Sequence, residues 1–209
     1  ALIHPNAFMM VARRHDLITD ELRASPEANR IFMRLLIESD NPERALRRMN
    51  ETGVLGEFIP EFDRIVALMQ FNMYHHYTVD EHTIHAIGGL KRLEQGELIE
   101  DLPVASRILE QGVDRAVLYV ALFLHDIGKG RSDPHEEVGA DIAKVLCPRL
   151  GLSESQAELV EWLVRNHLVM SDVAQKRDIT DPRTVRAFAG QVRSVQRLKL
   201  LLVLTALDI

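Results

Sequence analysis

The stretch Ala116-Val117-Leu118-Tyr119-Val120-Ala121-Leu122-Phe123-Leu124 runs without a break into His125-Asp126-Ile127-Gly128-Lys129. A surface helix does not tolerate apolar residues on every side, so this run is expected as a central, buried helix beginning near Asp114. At its end stand a nitrogen ligand, an oxygen ligand and a cation suited to phosphate, within little more than one helical turn. Adjacent residues on a helix point roughly 100° apart, yet at a helix end both His125 and Asp126 can reach one ion.

Outward from this segment the chain keeps a helical period, and its breaks carry helix start and stop chemistry rather than hairpin turns. An all-α fold is expected. Asn41-Pro42 offers an N-cap with proline at the first helical position, and Gly53 stands where a left-handed residue closes the helix after Thr52. Thr78 with Glu81, and Ser153 with Gln156, read as capping boxes opening helices that run to about Gln95 and about His167. The segment from Ser194 is apolar in its second half yet reaches Asp208, a carboxylate whose burial needs a partner. Residues 1–60 are expected as a helical lead-in packed on a domain of residues 61–209.

The 209 residues are 46% hydrophobic, enough for a full core, and carry a net charge of −6. That charge argues against a nucleic-acid partner. Cys147 is the only cysteine, lies in an apolar stretch, and is expected as a small core hydrophobe in a reducing cytoplasm. No stretch is long and apolar enough to span a membrane, and the N-terminus lacks the pattern of a secretory signal. The chain opens and closes on apolar segments, so it is expected to be a piece of a longer protein.

Of nine histidines, position selects four. His82 falls early in its helix, His125 and Asp126 end the buried one, and His135 stands just before a helix expected from Glu136. His167 ends another, and Asp208 closes the last. Four imidazoles and two carboxylates from five elements suit manganese, iron, zinc, cobalt or nickel better than a magnesium-only site. Any one of these histidines taken alone reads equally as a hydrogen-bonded core residue.

His82, the H-D-I-G-K of 125–129 and Asp208 together resemble the HD superfamily of helical metal-dependent phosphohydrolases, over roughly residues 75–209. His135-Glu136-Glu137-Val138-Gly139-Ala140 resembles the H-x-x-x-G-A of its two-metal branches, with His167 as their next histidine. Met69–Thr83, His125–Arg131, Trp162–Ser171, Arg177-Asp178-Ile179 and Leu204–Ile209 are similar in order to one family: the bifunctional uridylyltransferase and uridylyl-removing enzymes that modify the PII nitrogen-signalling protein. No nucleotidyltransferase signature is found and no sequence remains for ACT domains, so the resemblance implies the uridylyl-removing half, with the remaining domains in cis.

That resemblance implies a divalent-metal centre, two ions rather than one, drawn from manganese, magnesium, iron or zinc. His82, His125, Asp126 and Asp208 would hold one ion, His135 and His167 the other, with Asp126 bridging. Two ions about 3.5–4 Å apart can hold an attacking oxygen and a phosphate together. His125, Asp126 and Lys129 are the catalytic candidates. Lys129 would neutralise a phosphate oxygen, and its plain alternative is an exposed helix-end lysine. Arg131 is a candidate for phosphate or partner contact, or else a solvated loop arginine. His135 and His167 read alternatively as residues surrounding a one-metal site. Other substrates remain open: a free nucleotide or a cyclic dinucleotide, although the G-Y-P of the latter branch does not follow the HD pair. A non-catalytic sensing module and a di-iron oxygenase are further alternatives.

Among the rest, His85 is read as surface or supporting, and His4 and His15 are unassigned. His75 and His76, with Tyr74 and Tyr77, read as packing or as the mouth of the site. Met69, Phe71 and Met73 are expected in the core, and Arg44, Arg47 and Arg48 as a solvated face.

Overall fold

The computed structural model describes residues 4–69 and 77–208, and among them the chain is helical. Its extended pairing there is an isolated antiparallel bridge between Met69 and Thr78. Before the bridge come α1 (Pro5–Ala12), a 3-10 turn at His15–Leu17, α2 (Asp20–Ala24), α3 (Pro26–Glu38), α4 (Pro42–Glu51), α5 (Val54–Phe58) and α6 (Pro60–Asp63). After it come α7 (Val79–Glu94), α8 (Pro103–Glu110), α9 (Arg115–Leu124), α10 (His135–Arg149) and α11 (Glu154–Asn166). Three more follow, α12 (Val169–Lys176), α13 (Pro182–Val192) and α14 (Val195–Leu207). The all-α expectation is met.

Local chemistry sets most of these ends. Asn41 Oδ1 accepts from the Arg44 amide at 2.8 Å, Pro42 opens α4, and Gly53 follows with φ of 77°. A side chain at residue 53 would also meet the His15 ring at 2.6 Å, so glycine is required there twice over. Ser153 and Gln156 form the reciprocal box, each side chain bonding the other's amide at 3.3 and 3.1 Å. The Thr78–Glu81 box does not form: Thr78 is the N-cap residue of α7, but its side chain makes no cap bond. Glu81 instead pairs with Arg47 of α4, which also holds Glu43 at 2.9 Å. A tertiary ion pair has displaced a local cap, and Arg47 is half-buried between α4 and α7 rather than part of a solvated face. Arg44 is exposed as expected.

At the centre is α9, buried at every position from Val117 to Leu124, with Asp114 capping it by accepting from the Val117 amide at 3.1 Å. Phe123 stacks on Phe62 at 5.2 Å between ring centres and meets Phe32 edge-on at 5.7 Å. One core thus takes in Phe32, Leu36, Leu46 and Leu55 from the first part of the chain together with α7, α9, α11 and α14. The rim of α9 is fixed by Glu94 at the end of α7. It accepts from Arg115 at 2.6 and 2.9 Å and from the Tyr119 hydroxyl at 3.0 Å, and Arg115 reaches on to the Ile37 carbonyl at 2.9 Å. Burial, with the adjacent Glu94 carboxylate, pushes the Tyr119 hydroxyl above its ordinary value.

Met69 departs from expectation, being 58% exposed beside the bridge rather than in the core; Phe71 and Met73, like Tyr74, His75 and His76, lie outside the described residues. Among the described residues no helix is long and apolar enough to cross a membrane. Cys147 is buried, and burial pushes its thiol up to about 12.

Removing the Phe123 ring takes away a partner of both Phe62 and Phe32. Phe123→Ala is expected to cost about 3–5 kcal/mol in urea unfolding; a loss under about 1 kcal/mol would contradict the central place of α9. Cys147 in the native protein is expected to resist a thiol reagent at pH 8 and to react once unfolded. Rapid native labelling would show that the thiol is not sealed in the core.

Candidate metal centre

The end of α9 delivers two side chains into a dry interior: His125 is fully buried and Asp126 is 1% exposed. The helix itself orients the histidine, because Nδ1–H donates to the Leu122 carbonyl at 2.6 Å and so turns Nε2 inward. His167, at the end of α11, repeats the device with Val164 at 2.7 Å. Carbonyls in a last helical turn lack helix partners, so a histidine there satisfies one of them and becomes fixed in a single tautomer.

His125 Nε2 faces two carboxylates, 3.0 Å from Asp208 Oδ1 and 3.4 Å from Asp126 Oδ2, yet it has no hydrogen-bond partner of acceptable geometry. A lone pair turned toward two carboxylates requires a cation between them. Without a metal that cation is a proton: burial opposes it, but Asp126 and Asp208 together hold the His125 pKa well above its ordinary value. Asp126 and Asp208 are likewise held well below the usual carboxylate range. Burial opposes this in both, and the His125 charge does most to outweigh it, joined by Lys129 for Asp126 and by the His82 hydrogen bond for Asp208. A divalent ion can take the proton's place, and the donor set of imidazoles and carboxylates suits one.

His82, in the first turns of α7, brings Nε2 to 2.9 Å from Asp208 Oδ1. His135 is the first residue of α10, one residue earlier than the sequence suggests, and its Nε2 lies 3.6 Å from Asp126 Oδ1. His167 Nε2 is 3.8 Å from that same oxygen and 3.3 Å from His135 Nε2. Two groups result, each with ligand atoms within 4.8 Å of one another: His82, His125, Asp126 and Asp208, and Asp126, His135 and His167. Asp126 belongs to both, offering Oδ2 to one side and Oδ1 to the other. Burial pushes His167 down to about 4 and also lowers His135, so near neutral pH both present lone pairs.

Glycine makes the second group reachable. A Cβ on Gly128 would lie 2.0 Å from the His135 carbonyl oxygen and 2.9 Å from the Gly139 amide nitrogen. A Cβ on Gly139 would lie 2.9 Å from Val164 Cγ1 and 3.5 Å from the Leu124 carbonyl. The turn after the HD pair, the start of α10 and α11 therefore pack at distances that side chains at either position would forbid.

All six ligand candidates named from sequence are thus brought together. Lys129 joins them, its Nζ 2.5 Å from Asp126 Oδ2 and its side chain only 22% exposed, which the reading of a free helix-end lysine does not describe. Arg131 is outside both groups; its guanidinium donates to the Ile127 carbonyl at 2.6 Å and braces the turn. His85 is at the surface, 3.5 Å from Glu43 and stacked on Tyr77. His15 bonds the Thr52 carbonyl at 2.7 Å, and His4 caps α1.

Sequence reasoning passed over Asp80, which is 4% exposed and accepts from Asn50 Nδ2 at 2.8 Å, pinning the first turn of α7 to α4 two residues before His82. Its partner is 30 positions away, and no local pattern announces such a pair.

Comparison with known families matches residues 79–204 to the HD domain and residues 1–58 to the uridylyltransferase GlnD third domain. Among curated proteins, the bifunctional uridylyltransferase/uridylyl-removing enzyme of Ruegeria pomeroyi is 63% identical over 208 residues, and that of Cereibacter sphaeroides is 62% identical over 208. The enzyme of the same name from Azospirillum brasilense is 54% identical over 207 residues. These alignments take in 100%, 100% and 99% of this chain but only 23%, 22% and 22% of the relatives, so the chain spans less than a quarter of their length.

A ligand that binds only the folded state stabilises it, by about 2.7 kcal/mol at a hundred times its Kd. Manganese is expected to raise the thermal midpoint of the chelator-treated protein, and Asp126→Ala is expected to remove most of that rise. A midpoint indifferent to divalent cations would contradict a metal centre.

Proposed function

Because the chain belongs to the HD-domain family, we propose that it is a divalent-metal phosphodiesterase that releases UMP from the uridylylated tyrosine of the PII nitrogen-signalling protein. It would act in the cytoplasm as the uridylyl-removing part of a longer enzyme, with residues 1–60 as a helical lead-in to the catalytic domain. The observation that carries this reading is the position of Asp126, shared between two ligand groups through opposite oxygens with the Lys129 ammonium against it.

In this reading His82, His125, Asp126 and Asp208 hold one ion, and Asp126, His135 and His167 hold a second. Ions so held supply Lewis acidity, polarising the phosphoryl group and lowering the pKa of water toward neutrality. The remaining work belongs to the side chains. His135 and His167 hold their Nε2 atoms 3.6 and 3.8 Å from Asp126 Oδ1, and the Leu122 and Val164 carbonyls prevent His125 and His167 from turning. Lys129, held against Asp126 at the edge of both ligand groups, would neutralise a non-bridging phosphate oxygen, and its charge would count more as negative charge develops there. Water oxygen bonds to phosphorus, the bond from phosphorus to the tyrosine oxygen breaks, and the proton lost by water ends on the phenol. A phenol with a pKa near 10 leaves with little protonation, which fits a site whose imidazoles are all committed as ligands.

The purified chain is expected to release UMP from uridylylated PII with manganese and to stop when chelated. Lys129→Ala is expected to lower kcat about 100-fold at unchanged metal content. His125→Ala is expected to abolish turnover while helical content stays intact. Release that survives the chelator, or full activity in His125→Ala, would remove the proposal.

A further inference from the structure

The segment 169–199 differs from the rest of the chain in charge and in burial. It holds seven basic and three acidic residues in a protein of net charge −6. Its acids are spent locally: Asp172 pairs with Lys176 at 2.6 Å, Asp181 with Arg183 at 3.0 Å, and Asp178 accepts from Thr180. Arg177, Arg186 and Arg193 are left exposed with no carboxylate partner among the described residues. Burial is equally uneven. α12 has no buried residue and α13 has only Val192, while Ile179 and Val185 are 63% and 53% exposed. Between the two helices lies a cleft of about 420 Å³ lined by Arg177, Thr184, Phe188, Gln191 and the paired Asp181 and Arg183.

This cationic, half-apolar hairpin adjoins the metal centre. Gln191 Nε2 donates to Asn166 Oδ1 at 3.1 Å, and Asn166 precedes the ligand His167. Whatever α12 and α13 hold is therefore held beside His167.

We propose that the α12–α13 hairpin is the docking surface for the protein substrate, receiving an acidic segment of the protein that carries the phosphodiester. The inference rests on the phosphodiesterase reading above and adds how a protein is distinguished from a small diester. Unpaired arginines on an acidic protein repel a basic partner that the remainder of the surface would attract, and they attract an acidic one. Exposed apolar side chains between them supply area that becomes buried on docking. A small phosphodiester needs only the metal centre and Lys129, and makes no use of this surface.

The test compares uridylylated PII with bis(4-nitrophenyl) phosphate, using wild type and the double variant Arg177→Glu with Arg186→Glu. Both positions are exposed and neither belongs to the metal centre. KM for uridylylated PII is expected to rise about tenfold or more while kcat/KM for the small diester is unchanged. An unchanged KM for the protein, or an equal loss on both substrates, would overturn the docking proposal. Should the variant fail to fold, the wild type decides: raising salt from about 50 to about 300 mM should raise KM for the protein and not for the small diester, and a flat response would overturn it. A wild type that hydrolyses the small diester but never uridylylated PII would instead contradict the proposed function itself.

Discussion

A carboxylate at 1% exposure, just past a helix buried at every position from Val117 to Leu124, is the constraint around which the rest of this molecule is arranged. Burying a lone charge costs several kcal/mol, so Asp126 persists only if its surroundings return that cost. On one side the charges of His125 and Lys129 at Oδ2 return it, while on the other Oδ1 faces the neutral His135 and His167, with which it would share a cation. The apolar helix that places Asp126 so deep is also what makes it rigid, since α9 is enclosed on every face and its first turn is tied to Glu94 and Ile37.

Helix ends explain why this place suits a cation. His125, His167 and Asp208 are the C-cap residues of α9, α11 and α14. The C-terminal end of a helix carries partial negative charge and unpaired carbonyls. Three such ends converging make a negative interior before any side chain is counted, and two of the carbonyls serve to orient ligand histidines. Gly128 and Gly139 allow the turn and the start of α10 to approach closely enough for His135 to reach Asp126. The H-D-I-G and H-x-x-x-G-A patterns thus have one physical meaning, which is backbone approach around a shared carboxylate.

Features encoded within a few residues were legible in the sequence. The buried run of α9, the Asn41-Pro42 start, the Gly53 close and the Ser153–Gln156 box all depend on neighbours in the chain, and each is found where local chemistry places it. Features decided by partners far along the chain were not. Glu81 pairs with Arg47, 34 residues earlier, and the local cap is not made. Met69 lies at the bridge and stays exposed despite its apolar neighbours in sequence. The six ligand candidates were legible because their types and order are distinctive, whereas Asp80 with Asn50 and the orienting carbonyls of Leu122 and Val164 emerge only once the helices are packed.

The sharing of Asp126 between two ions is the claim on which the chemistry turns, and anomalous diffraction from manganese-loaded crystals addresses it most directly. The account predicts two peaks about 3.5–4 Å apart, one by His82, His125 and Asp208 and the other by His135 and His167, with Asp126 between them. A single peak, or two peaks that Asp126 does not bridge, would contradict it.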